Sequence, residues 1–381
     1  MRIGICGVGR LGLPLSLVYA KYGHDVVGID IDAKRIADIR NNVHFPEPFV
    51  NEYLEKYKQR LSYYTDLDYV KGSDVITIIV ATPSIANGLF DVARITKVVK
   101  EIRALDKNVL VTLSSNVNVG TCDKLHEKYH RIAYCPEFVA QGNIMRGFED
   151  PKFTVIGAYN KEDATLLHEL WKGIHNKPIY VVKPAEAEII KLGLNVSYCM
   201  GISWANLVGE LCGKFSADSD KILDIMHNDW RNYKKGLGYM GPCFPRDTKC
   251  FGAICKKNSV ESGLRFTKTL DFLNNCTKLR YLNEILQCGK SKIGFLGISY
   301  KPNIPYTDFS QPLEIATALE QRGYQIFVYD PLAENEAKRV LKSAVFCKTL
   351  EDCVKLSDVL FIGTVNYKDK VFDKPSINPW I

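Results

Sequence analysis

The chain has 381 residues, enough for two or three domains with cores of their own, and its 46% hydrophobic and 24% charged content is that of a soluble globular protein. A formal net charge of +7, with no long Lys/Arg block, suits phosphate-bearing small ligands or merely a solvated surface, and gives no ground for nucleic acid as a partner. The longest apolar run, Val75 to Ala81 and broken by Thr77, is far below a membrane span, so no membrane is expected.

The chain enters a strand at its start, without the basic and apolar regions of a secretory signal, so a cytoplasmic location is the expectation. Twelve cysteines, none in CxxC pairs and none clustered with histidine at zinc spacing, read as mostly buried thiols with no metal site.

In chain order, Arg2 to Cys6 reads as a buried strand, Leu11 to Tyr22 as an apolar helix, His24 to Ile29 as a second strand and Ala33 to Asn41 as a second helix. Ser73 to Ala81 and Asn108 to Leu113 are further β-runs. Strands alternating with helices imply a parallel sheet covered on both faces. From Ala185 to about Phe215 the pattern turns helical, with Ile189, Leu192, Val196, Met200, Leu207 and Leu211 at helical spacing on more than one face. Such a helix should be buried against a second domain or another subunit, and a dimer is therefore expected.

After about residue 289 the opening returns. Lys292 to Gly297 echoes Arg2 to Gly7, Gly323 precedes Asp330 as Gly23 precedes Asp30, and Ser357-Asp358-Val359 echoes Ser73-Asp74-Val75. This is read as a second Rossmann-like domain, with convergent α/β patterning as the plainer alternative. Ser299 stands where the first copy has Gly9, so the second copy is expected to bind something other than a dinucleotide, or to bind it differently.

Gly7-Val8-Gly9-Arg10-Leu11-Gly12 fits G-x-G-x-x-G between a strand and a helix, the setting that gives this motif meaning. Gly7 permits the turn, Gly9 admits a pyrophosphate to the backbone, and Gly12 lets helix and sheet close up. The helix start offers free N–H groups to phosphate. Asp30, ending the second strand, can bond both ribose hydroxyls and would repel a 2′-phosphate, which favours NAD over NADP, while Asp32 is placed to cap the next helix.

No Tyr is followed four residues on by Lys, so the short-chain dehydrogenase base pair is absent. In Gly238-Tyr239-Met240-Gly241-Pro242-Cys243-Phe244-Pro245-Arg246-Asp247, a helix is expected to begin at Pro245, which suits the first helical position. Cys243 then lies just before a helix N-terminus, where a dipole favours the thiolate, and Asp247 falls one turn further on. A buried structural thiol is the plainer alternative for a cysteine in such surroundings.

This segment resembles the G-F-G-G-S-C-F-P-K-D hallmark of the UDP-glucose and GDP-mannose dehydrogenase family. The resemblance runs through Ala81-Thr82-Pro83, Val119-Gly120-Thr121, Pro136-Glu137-Phe138, the helix bearing Ala187, Glu188, Lys191, Leu192 and Asn195, Gly297 to Pro302, and Tyr329-Asp330-Pro331. It implies an α/β fold with two Rossmann-like domains joined by a long central helix and a helical dimerisation region. Residues 1–184 would bind NAD, 185–288 would carry the dimer contacts and the catalytic cysteine, and 289–381 would bind the nucleotide sugar.

The activity so implied is a four-electron oxidation of a nucleotide sugar's C6 alcohol to the carboxylate, through a cysteine thiohemiacetal and thioester. Cys243 would be the nucleophile, Lys191 the oxyanion stabiliser, Asn195 and Asp247 the groups that position water and the alcohol oxygen, and Glu137 a general base. Gly7, Gly9, Leu11, Gly12, Asp30, Thr82 and Pro83 would hold the cofactor. Phe138, Tyr239, Gly241, Phe244, Lys191, Asn195 and Lys301 would contact the substrate, with Arg231 reaching it from a partner in a homodimer. UDP-glucose is the expected substrate; GDP-mannose, a UDP-N-acetylhexosamine, and a nucleotide-sugar-binding protein without turnover are the alternatives.

Four departures accompany the resemblance. Asn116 replaces a threonine, Gln141 replaces a carboxylate with an amide that takes up no proton, Asp308 falls where an arginine is expected, and Met240 and Pro242 replace glycine and a small residue. They bear on substrate identity and on the hydrolytic half of the reaction.

Overall fold

A computed structural model describes residues 1–226 and 235–381. It comprises two compact units, Met1–Gly193 and Leu194–Ile381.

The first unit is built on eight strands: β1 (Arg2–Cys6), β2 (Asp25–Ile29), β3 (Leu61–Tyr64), β4 (Val75–Ile78), β5 (Leu110–Leu113), β6 (Ile132–Tyr134), β7 (Thr154–Gly157) and β8 (Ile179–Val182). They lie in the order β3-β2-β1-β4-β5-β6-β7-β8, so the chain reverses direction of winding at β1 and β4. Ligands of open α/β sheets bind at such a switch point, beyond the carboxyl ends of the strands. Side chains alternate across β1: Ile3 and Ile5 join one core with Leu15 and Val18, and Cys6 joins the other with Ile78 and Val99. Both faces of the strand are thereby covered, as its unbroken apolar run requires.

The helices Gly12–Lys21 and Ala33–Arg40 stand where the spacing put them, and Asp32 caps the second by accepting from the N–H groups of Lys34 and Arg35. The sheet departs from uniform parallelism at one junction, where β7 runs antiparallel to β6. The connection there carries only the six-residue helix Ile144–Glu149, and the chain comes back in the opposite direction.

The helix Pro184–Lys214 begins in the first unit and continues into the second. Its apolar faces are only partly covered within one chain. Val196 and Cys199 pack with Tyr239 and Leu270, whereas Ile189, Met200 and Trp204 are exposed.

The second unit holds β9 (Lys292–Leu296), β10 (Gln325–Tyr329), β11 (Val345–Phe346), β12 (Val359–Ile362) and β13 (Ser376–Ile377), all parallel in the order β11-β10-β9-β12-β13. The internal echo is a backbone equivalence. Gly7 N–H donates to Ile29 O and Gly297 N–H to Tyr329 O; Asp74 N–H donates to Arg2 O and Asp358 N–H to Lys292 O. After the glycine the copies part. The first enters its helix at Gly12, whereas the second runs through residues 297–310 before the helix Gln311–Glu320 begins. Among the described residues no helix is long and apolar enough to cross a membrane.

Candidate active site

At the β1 turn, Gly7 has φ +101° and a Cβ there would lie 2.6 Å from Ile79 O. A Cβ on Gly12 would lie 1.9 Å from Gly7 O, so helix and turn close only on glycine. Gly9 meets nothing within 4 Å, which leaves open space where a pyrophosphate would approach. Leu11 is the N-cap and supplies no side-chain cap, and no acid occupies the first turn. This end of the helix therefore suits a phosphate. Asp30 accepts from Val8 N–H at 3.1 Å through one oxygen and from Asp32 N–H at 3.1 Å through the other. Each oxygen keeps a lone pair for a ribose hydroxyl. The residues present fit NAD.

Across the switch point, Thr82 is buried and its hydroxyl donates to Asn116 O at 2.8 Å, while Pro83 is exposed. Asn118 exchanges two hydrogen bonds with the Phe90 backbone, its Oδ1 accepting and its Nδ2 donating, both at 2.9 Å. The loop of Asn116 is thus tied to residue 90. Glu188, fully buried on the central helix, accepts from Gly120 N–H at 2.6 Å and Cys122 N–H at 2.9 Å, and so caps the helix Thr121–Tyr129. The sequence around Glu188 gives no sign of this capping role, because its partners lie 68 and 66 residues away.

Lys191, one turn beyond Glu188, is buried and donates to the backbone carbonyl of Glu137 at 2.5 Å, with its ammonium 5.3 Å from the centre of the Phe138 ring. Glu137 is also buried, and its Oε1 has no hydrogen-bond partner. Burial pushes its carboxyl up to about 7, against the opposing pull of the Lys191 charge and of hydrogen bonds from its own N–H and from Ser114. A carboxyl held there takes up and gives back a proton near neutrality. Further along the same loop, Gly142 and Ile144 N–H donate to Glu47 at 2.8 and 2.7 Å, which anchors the stretch containing Gln141.

In the second unit, the helix Phe244–Lys257 begins one residue earlier than expected, with Cys243 as its N-cap and Pro245 as its second residue. Proline is tolerated there because first-turn N–H groups have no helical partner. Of the twelve cysteines, nine are buried, Cys276 and Cys288 are intermediate, and Cys243 alone is exposed. Burial pushes the thiols of Cys6, Cys135 and Cys199 up to about 12. Asp247 is fully buried one turn on, and Asn195 Nδ2 donates to its Oδ2 at 2.5 Å. The structure thus joins Asn195 to Asp247, and Lys191 to Glu137. Phe244 is half-buried against Tyr198.

Tyr239 is 2% exposed, packs with Leu270 and Val196, and its hydroxyl donates to Asp271 at 2.8 Å. Gly241 has φ +86°, and a Cβ there would lie 2.7 Å from the Tyr300 ring. Lys301 is half-buried in the 297–310 loop, its carbonyl accepting from Ser299 Oγ at 2.9 Å. Arg231 lies outside the described residues. When residues 306–312 are set against the family's D-D-x-R-E-S-P, with Pro312 as the closing proline, the expected arginine falls on Phe309 and not on Asp308. The Lys249 ammonium lies 5.8 Å from that ring's centre, so positive charge is still present there.

Asp330 has a different task from Asp30. It is buried, and its carboxylate accepts from the N–H groups of Ile298, Ser299, Leu332 and Ala333 at 2.9 to 3.2 Å. With its lone pairs so used, it staples the 297–310 loop instead of offering itself to a ribose.

Fold and site together define a dinucleotide-binding α/β protein with an exposed thiol at a helix start. Matches to known families carry the identification further. The NAD binding domain of the UDP-glucose/GDP-mannose dehydrogenase family matches residues 1–175, its central domain residues 185–275 and its UDP binding domain residues 294–378. The UDP-glucose 6-dehydrogenase YwqF of Bacillus subtilis (strain 168) is 31% identical over 96% of this chain and 87% of its own length. The GDP-mannose 6-dehydrogenase of Pseudomonas aeruginosa is 28% identical over 95% of this chain and 91% of its own. A solved UDP-glucose dehydrogenase from the hyperthermophilic archaeon Pyrobaculum islandicum superposes with a TM-score of 0.91 at 27% identity, covering 100% of this chain and 94% of that one. The chain belongs to the UDP-glucose/GDP-mannose dehydrogenase family of NAD-binding nucleotide-sugar dehydrogenases.

Proposed function

We propose that this protein oxidises the C6 alcohol of UDP-glucose to the carboxylate, giving UDP-glucuronate, with two NAD⁺ and one water consumed and two NADH and three protons released. The observation that carries this reading is the single exposed thiol, Cys243, at the start of Phe244–Lys257. NAD, when bound by Gly7, Gly9, Leu11, Gly12, Asp30, Thr82 and Pro83, supplies the hydride acceptor.

The rest is work for the chain's own residues. The Cys243 thiolate adds to the C6 aldehyde and holds it as a thiohemiacetal, whose oxidation leaves a thioester for water to cleave. Lys191 stabilises the oxyanion at C6, a task suited to a buried ammonium. Asn195 and Asp247, already hydrogen-bonded to each other, orient the alcohol oxygen and the attacking water. Glu137 takes the proton of that water, for which a carboxyl near 7 is well matched. Phe138, Gly241, Phe244 and Lys301 line the sugar nucleotide, and Tyr239 supports them from the core.

The UDP binding domain model over residues 294–378 favours a uridine nucleotide. The division into residues 1–184, 185–288 and 289–381 is supported by matches at 1–175, 185–275 and 294–378. A homodimer is supported by the exposed Ile189, Met200 and Trp204 on the central helix. Twelve cysteines without a disulfide among the described residues suit the reducing cytoplasm.

The test is a panel of UDP-glucose, GDP-mannose and UDP-N-acetylmannosamine with NAD⁺, counting NADH per sugar. Two NADH with UDP-glucose support the reading, two with GDP-mannose alone would move it to that sugar, and none with any sugar would remove the activity. Cys243→Ala should form no acid.

A further inference from the structure

We propose that Gln311 and Met240 act as a coupled pair that positions the cysteine segment, so that the thiol of Cys243 is presented by contacts from the C-terminal Rossmann-like domain. This rests on Cys243 being the nucleophile.

Gln311 is 3% exposed, the first residue of the helix Gln311–Glu320, and its side chain is fully engaged. Its Oε1 accepts from Gly238 N–H at 2.8 Å, and its Nε2 donates to the carbonyl of Asn274 at 3.0 Å and to Asn274 Oδ1 at 3.3 Å. Its backbone N–H, which no helical partner can satisfy at this position, donates to Met240 Sδ at 3.0 Å. Asn274 in turn donates to Tyr239 O at 3.1 Å, and Gly241 N–H donates to Asp308 O at 3.0 Å. Residues 238, 239, 240 and 241 are thus each tethered, and Pro242 and Cys243 follow directly.

The fit is close. A Cβ on Gly238 would lie 1.9 Å from Asn274 Oδ1 and 2.5 Å from Gln311 Nε2, so the clamp closes only on glycine. Met240, which stands where the family hallmark has glycine, touches Gln311, and a glycine would offer no acceptor there. The two side chains form one device: the thioether accepts the helix's first N–H while the amide holds the loop that leads to the thiol. A nucleophile displaced by about 1 Å loses roughly 100-fold in rate, so a clamp two to five residues upstream acts on the chemistry without touching substrate.

The test uses the full chain with Gln311→Met, which keeps volume and removes all three side-chain bonds, and Met240→Leu, which keeps volume and removes the acceptor. Four readouts are taken: the rate of Cys243 alkylation by iodoacetamide followed by peptide mass spectrometry, kcat from the rate of NADH formation, NADH formed per UDP-glucose with aldehyde trapped by semicarbazide, and NAD affinity. The expected result for each variant is a change of at least about threefold in alkylation rate, a fall in kcat of about 10- to 100-fold, and fewer than two NADH per sugar as aldehyde escapes. NAD affinity should stay within about twofold, because the glycine turn is untouched. The double variant should lose less than the product of the two singles.

Folded variants that alkylate at the wild-type rate and still yield two NADH per sugar would overturn the proposal. If Gln311→Met does not fold, Met240→Leu decides by the same readouts. Acid formation by Cys243→Ala would instead overturn the thiol mechanism, leaving the alkylation rates to judge the clamp on its own.

Discussion

Replacing Glu137 by Gln removes a carboxyl whose burial pushes it from an ordinary 4.5 up to about 7. In the folded state the group is protonated up to about pH 7, whereas in the unfolded chain it ionises near 4.5. Between those values the native state binds the extra proton, so raising the pH costs stability: about 3 kcal/mol for a shift of this size, of which about 2 kcal/mol falls between pH 5 and pH 8. Glu137→Gln is neutral throughout and escapes this loss. Urea unfolding of the wild type and the variant at pH 5 and pH 8, followed by far-UV circular dichroism, should show the variant gaining about 2 kcal/mol relative to the wild type at the higher pH. The same ionisation sets the sign for activity. The base must be ionised, so acid formation should rise with pH through about 7 in the wild type and lose that inflection in Glu137→Gln. A stability difference that does not change between pH 5 and pH 8 would refute the assignment of a buried, proton-holding carboxyl.

Three further outcomes follow from the same geometry. Gly9→Ala should fold normally and bind NAD at least about tenfold more weakly, whereas Gly12→Ala should destabilise the protein by more than about 2 kcal/mol, because only the second Cβ collides with backbone; calorimetric binding and thermal melts check both. Asp30→Asn should cost about tenfold in NAD affinity with little change in stability, while Asp330→Asn should cost more than about 2 kcal/mol of stability, since it disturbs four backbone donors, three of them in buried hydrogen bonds. Asn195→Ala strips a buried carboxylate of an amide donor and should cost about 1.5–3 kcal/mol in unfolding experiments, together with a fall in kcat larger than any rise in KM.

What the sequence disclosed and what it hid divide along one line. The glycine turn, the Asp32 cap and the helix start at Cys243 were legible because each depends on a few adjacent residues: a φ that favours glycine, an oxygen two residues before an N–H, a proline in a first turn. The internal repeat was legible because strand, turn and interval recur together. Glu188 was not, because a carboxylate that caps a helix 66 residues back leaves no local mark. Tyr239 lay in a catalytic motif, yet its ring belongs to the core and its hydroxyl to Asp271. The paired aspartates draw the line most sharply. Asp30 and Asp330 end equivalent strands at equivalent intervals, and both accept the N–H next to their glycine turn. What separates them is the number of backbone donors around the carboxylate: Val8 and Asp32 leave Asp30 with lone pairs to spare, whereas Ile298 and Ser299 in the 297–310 loop, together with Leu332 and Ala333 just beyond the strand, take up all that Asp330 has to give. Which of two like carboxylates keeps lone pairs for a ligand therefore depends on the donors around it, and the first readable sign is Ser299 in place of a glycine, whose N–H is one of them.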